Sequence, residues 1–112
     1  MEIKHRFELP KILEFYNLPK IAVEVGAAGA NNSVDLLKNG IDFIYLVDNW
    51  KKIDNQTGDG NFPEDFHKSN FRTALRNLYP YKNRYKILKG LSSEMHKYIP
   101  YKTRVLIQVS TP

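Results

Sequence analysis

Apolar residues in this chain alternate between two spacings, helical and unbroken, and each change is marked by a turn-forming residue. Glu8 to Asn17 puts Leu9, Ile12, Leu13 and Tyr16 at helical spacing, with Pro10 suited to a first turn and Leu18-Pro19 as the stop. Lys20–Val25 is then apolar without a period, the pattern of a strand covered on both faces. After the small residues Gly26-Ala27-Ala28-Gly29-Ala30, Asn31 or Asn32 is placed to cap a helix running through Val34, Leu36 and Leu37 to a stop at Gly40. Asp42–Val47 is a second strand. Lys51 to Asn61 is polar and contains Gly58-Asp59-Gly60, which predicts a mobile loop. A longer helix starts near Pro63, carries Phe66, Phe71, Ala74, Leu75 and Leu78, and ends before Pro80. Arg84–Lys89 is a third strand bounded by Gly90. Ser92 or Ser93 caps a short helix ending at Ile99-Pro100, and Arg104–Val109 is a fourth strand.

Strands that alternate with helices predict βαβ units with right-handed crossovers. The expected fold is α/β, a Rossmann-like doubly wound and mainly parallel sheet of about four strands. Its 112 residues, 42% of them apolar, suffice for one modest core, so residues 1–112 are read as one domain. No cysteine is present, which excludes disulfides and thiolate metal sites and fits a reducing, cytoplasmic setting. No apolar run approaches the roughly 18 residues of a membrane span, and no signal peptide is legible after Met1.

Charge divides the chain. Residues 1–67 carry 7 Lys/Arg against 11 Asp/Glu, whereas residues 68–112 carry 10 against one, Glu94. This split fits either a nucleic-acid surface on the second half or an ordinary solvated basic face.

The candidate chemistry lies at the ends of the first two strands. Ile21 to Val25 ends in the small-residue turn, where backbone can approach a ligand closely. Ile44 to Val47 ends in Asp48, 24 positions after Glu24, a carboxylate able to accept two ribose hydroxyls. As a dinucleotide fingerprint G-x-G-x-x-G the turn fails twice, with Ala28 and Asn31 in glycine slots, which argues against NAD or FAD. A cofactor without phosphates needs only a small turn and free amides at a helix N-terminus. The competing readings are a plain strand-to-helix turn for residues 26–29 and a loop or cap aspartate for Asp48. Trp50 offers a face for an adenine or serves as a loop anchor.

Glu24-Val25-Gly26-Ala27-Ala28-Gly29 resembles motif I of the class I S-adenosylmethionine-dependent methyltransferases. Val47-Asp48-Asn49-Trp50 resembles the acidic end of their second strand, often V-D-x-W in a bacterial subgroup acting on small molecules and sugars. Ile87-Leu88-Lys89-Gly90-Leu91-Ser92-Ser93 is similar to that subgroup's third strand and the segment after it. The resemblance covers about residues 7–100 in the expected order. It implies S-adenosylmethionine as cofactor and methyl transfer to a small metabolite or sugar. It also implies that Glu24 and the backbone of Gly26, Ala27, Ala28 and Gly29 face the methionine end, that Asp48 holds the ribose, that Asn49 and Trp50 border the adenine, and that Leu91 and Ser92 meet its edge. The chain departs from the family at Ala30, where a second glycine is usual, and at Leu91, where an acid usually accepts from the adenine amino group. The latter removes a hydrogen bond worth ~1–2 kcal/mol. The family's sheet has about seven strands and draws its catalytic groups from the fourth onward. The expectation is therefore a truncated domain with no assignable base, whose apolar fourth strand at a sheet edge invites self-association.

His5, His67 and His96 show no paired metal spacing, so no metal is expected, and no Gly-Lys-Ser/Thr phosphate loop occurs. Tyr79 to Lys86 interleaves tyrosines with cations, which fits either single-stranded nucleic acid or a connector with tyrosines inward and lysines outward. Three function classes follow: a methyltransferase domain, a non-catalytic nucleotide- or nucleic-acid-binding module on the basic second half, and a structural remnant with a vestigial site.

Overall fold

A computed structural model describes residues 9–51 and 63–100 and the backbone of residues 106–108. The polar segment 52–62, His5 and the ends of the expected fourth strand lie outside the described residues. The elements run α1 (Leu9–Phe15), β1 (Ile21–Val25), α2 (Asn31–Lys38), β2 (Phe43–Asp48), α3 (Glu64–Leu78), a 3-10 turn (Tyr79–Tyr81), β3 (Tyr85–Lys89), α4 (Ser92–Met95), a second 3-10 turn (His96–Tyr98) and β4 (Leu106–Gln108).

The strands form one parallel sheet in the order β3-β2-β1-β4. The chain moves outward from β1 through β2 to β3, then returns to the other side of β1. In a doubly wound sheet that reversal is the topological switch point, and ligands lie outside the carboxyl ends of the strands there. The fold is thus the expected α/β Rossmann-like one. Where the sequence predicts one helix from Ser92 to Ile99, the structure has a single α-turn that tightens into 3-10.

Alternation along the strands divides the core. Ala22, Ile44 and Leu46 join Leu9 and Leu13 of α1, Leu36 and Leu37 of α2, and Ala74 and Leu78 of α3 in the larger cluster. Val23, Val47 and Leu88 face the other way, against Met95 and Ile99. Both faces of β1 and β2 are therefore buried, which explains their aperiodic apolar sequence.

The helix ends follow local chemistry. Asn17 takes a left-handed φ of 54°, and Leu18 N–H bonds the Leu13 carbonyl at 2.8 Å, a Schellman closure of α1. Gly40 ends α2 in the same way at φ 113°, with Ile41 N–H on the Leu36 carbonyl at 3.0 Å. Arg84 locks the α2–β2 connection by donating to the carbonyls of Leu37 (3.1 Å), Ile41 (2.7 Å) and Asp42 (3.2 Å).

Candidate functional site

Asp48 closes β2 and is half-buried. Its Oδ2 accepts from Ala28 N–H at 2.9 Å and its Oδ1 from Trp50 N–H at 2.8 Å. Both donors belong to residues in the left-handed region, Ala28 at φ 47° and Trp50 at φ 49°. That region costs a residue with a Cβ about 1–2 kcal/mol. A charged acceptor on each amide offsets this cost, since such bonds contribute about 1.5–3 kcal/mol. Trp50 closes the triangle by donating its indole N–H to the Ala28 carbonyl at 2.8 Å. The aspartate thus joins the turn after β1 to the turn after β2, 20 residues apart.

The β1 turn is held from two further directions. Asn77 of α3 donates to the Gly29 carbonyl at 2.8 Å, and a methyl added at Gly29 would touch Thr73 at 3.4 Å. Ala30 N–H bonds the Ala27 carbonyl at 2.8 Å. Ala30, at φ 67°, is itself the N-cap of α2 and supplies no side-chain cap. The expected Asn31 or Asn32 cap is therefore not formed; the Asn31 side-chain oxygen instead faces the Asn77 amide at 3.3 Å. Among the described residues the first turn of α2 thus lacks the side-chain acceptor that usually satisfies its N–H groups.

Glu24 is fully buried on β1, on the same face as Ala22, and its Oε1 accepts the hydroxyl of Ser33 in α2. It lies under the turn and braces α2 against the sheet. Trp50 is 3% exposed and packs edge-on to Phe71 with ring centroids 5.0 Å apart, so its indole is a loop anchor with no face turned outward. Asn49 is half-buried beside it. Across the next strand Lys89 pairs in register with Asp48, and its ammonium lies 4.6 Å from the Phe71 ring centre. Gly90 N–H continues the ladder onto the Asp48 carbonyl at 2.9 Å. Leu91, 43% exposed, accepts at its carbonyl the N–H groups of Glu94 and Met95 and so starts α4, whose first residue is Ser92.

The ten residues singled out from sequence therefore gather along the carboxyl edge of β1, β2 and β3. Sequence reading did not find Ser33, Phe71 or Asn77 as supports of that edge. Their partners lie 9, 21 and 48 positions away, and no local pattern marks them. His67 is buried on the inward stripe of α3 with Ala74 and Leu78, and its Nε2 has no hydrogen-bond partner among the described residues. No group of three or more His, Cys, Asp or Glu among the described residues could hold a metal ion, and no described helix is long and apolar enough to cross a membrane.

The site's chemistry fits a ribose at one point. Among the described residues each Asp48 oxygen receives one backbone N–H, and a carboxylate has about four lone-pair sites, which leaves two for hydroxyl donors.

No family model matches the chain, and no curated protein matches it. Among solved structures it is similar to a proposed RNA methyltransferase from Pyrococcus horikoshii, at 16% identity and a TM-score of 0.55 over 92% of this chain. The match spans 43% of that protein's length. The likeness is one of fold, an α/β domain with a parallel sheet.

Proposed function

We propose that the carboxyl edge of β1, β2 and β3 binds S-adenosylmethionine and that the domain serves methyl transfer. The observation that carries this reading is Asp48. It ends the strand beside the switch-point turn, orders that turn, and keeps lone pairs for two hydroxyls. The methyltransferase-like fold supports it.

In this reading Asp48 holds the ribose, and the backbone of Gly26 to Gly29 with the uncapped start of α2 receives the methionine carboxylate. Leu91 gives the adenine an apolar contact, and Asn49 and Ser92 border it. Glu24 and Trp50 act one step back, Glu24 bracing α2 through Ser33 and Trp50 fixing the Ala28 carbonyl. When bound, the cofactor supplies a methyl group activated by its sulfonium. The protein's part is alignment of an acceptor oxygen or nitrogen with that methyl. The acceptor implied by the resemblance of residues 47–50 and 87–93 is a small metabolite or sugar. The fold neighbour's proposed role makes RNA the second acceptor to test.

Calorimetric titration with S-adenosylhomocysteine tests the site. Saturable one-to-one binding, weakened at least 10-fold in an Asp48→Asn protein that still melts cooperatively, is the expected result. A folded wild-type chain that gives no binding heat at millimolar ligand refutes it.

A further inference from the structure

We infer that the outer face of α3, with the turn that follows it, is a docking track for a single-stranded nucleic acid. This surface lies outside the cofactor edge, and the inference stands whether or not that edge binds a nucleoside.

After the two acids that open α3, Glu64 and Asp65, residues 66–93 contain seven Lys or Arg and no Asp or Glu. The structure sorts these cations. Arg84 is consumed by three backbone carbonyls, and Lys89 lies over Phe71. Tyr81 and Tyr85 pack against the core, so half of the aromatic and basic run from Tyr79 to Lys86 is connector. Lys86 is exposed on β3, and the remaining four follow α3 and the turn after it. Lys68, Arg72 and Arg76 stand four residues apart on α3 and all are exposed. Four residues of helix rise roughly 6 Å and advance just over one turn, so the three charges form a gently slanting row along one side of the helix. Tyr79 continues the same face and is 68% exposed, and the Lys82 ammonium stands 5.3 Å from its ring centre.

A row of cations at a constant step, ending at an open aromatic ring, matches a polyanion with one charge per unit and a flat base on each unit. An anionic bilayer fits less well. A helix lying on a membrane needs its own apolar stripe, and α3 turns Phe71, Ala74 and Leu78 to the sheet, leaving Leu75 as its one exposed large apolar side chain. The row is short, which suits a strand of three or four nucleotides.

The test is fluorescence anisotropy of the 112-residue chain with labelled 12-residue oligouridylate and oligothymidylate, between 50 and 200 mM salt. Three phosphate contacts give a slope near −2 in log affinity against log salt, roughly a 20-fold loss over that range. Lys68→Ala/Arg72→Ala/Arg76→Ala is expected to flatten the slope. Lys11→Ala/Lys86→Ala/Lys97→Ala removes the same charge elsewhere and is expected to keep at least half the slope. Tyr79→Ala is expected to weaken binding about 5-fold with the slope unchanged. Arg72→Gln alone, at an exposed helical position, repeats the test at one contact should the triple variant fail to melt cooperatively, with an expected slope change near 0.7. Equal losses in the two triple variants, a wild-type slope near zero, or binding to phosphatidylserine vesicles without binding to either oligonucleotide would overturn the inference. S-adenosylhomocysteine titration of the same variants keeps this result separate from the fate of the cofactor reading.

Discussion

Asp48→Asn is the substitution that most directly interrogates the site, because it preserves shape and removes one acceptor. The wild-type carboxylate takes the amides of Ala28 and Trp50, and both residues hold left-handed backbone. An asparagine can accept only one of these amides and must aim its own NH2 at the other. Losing a hydrogen bond to a charged acceptor costs about 1.5–3 kcal/mol, taken at the lower end here because Asp48 is half-buried. The left-handed strain is common to both proteins and cancels, so the expected loss is about 1.5–2 kcal/mol. A chain of 112 residues unfolds with an entropy of roughly 0.24 kcal/mol/K, so the midpoint should fall by about 6–9 °C. Thermal unfolding followed by far-ultraviolet circular dichroism reads this directly. Ala28→Gly relieves the strain at one donor and should restore part of the loss in the Asp48→Asn background. A midpoint within about 2 °C of wild type would refute the account of Asp48 as the clamp between the two turns.

Trp50→Phe keeps a ring against Phe71 but abandons the Ala28 carbonyl, and should cost about 1–3 kcal/mol in urea unfolding. Arg84→Met strips a cation from three carbonyls at the α2–β2 connection. A loss of about 2–3 kcal/mol in the same assay is expected, and a change under about 0.5 kcal/mol would mean those carbonyls are satisfied by water. Gly40→Ala places a Cβ at φ 113° and 3.2 Å from Pro10, so it should destabilise by about 2 kcal/mol. Gly90→Ala meets only the flexible Met95 side chain, from Cε at 2.9 Å to Cγ at 3.1 Å, and should cost about 1 kcal/mol; the reverse ranking of these two glycines would contradict the packing described.

Local signals located most of the fold. The stops at Leu18 and Gly40, the aperiodic apolar strands and the acid at position 48 each act within a few residues, and each lies where the spacing predicts. What the sequence does not carry is pairing across the fold. Asn31 has the right chemistry for a cap, yet Ala30 takes that position while Asn31 turns to Asn77, 46 residues away. Trp50 reads equally as a stacking platform or an anchor, and only the carbonyl at Ala28 and the ring of Phe71 decide for the anchor. Glu24 reads as a ligand contact because it precedes the turn. Strand alternation places it on the face of β1 that carries α2 instead, where it is fully buried. The tyrosines between 79 and 85 divide in the same way, since alternate sides of a short connector meet core and water.

The position of β1 between β2 and β4 has a kinetic consequence. The register pairs Ile21 with Phe43, 22 positions apart, but Val23 with Leu106, 83 apart. Closing the longer loop costs about 1 kcal/mol more in chain entropy, so the rate of complete assembly is set on the β4 side. The β1–β2 ribbon with α2 can form while later residues are still being synthesised, leaving one flank of β1 open until β4 arrives. In native-state hydrogen exchange the amides of β4 should open at lower free energy than those of β2, as a separate unit that unzips first.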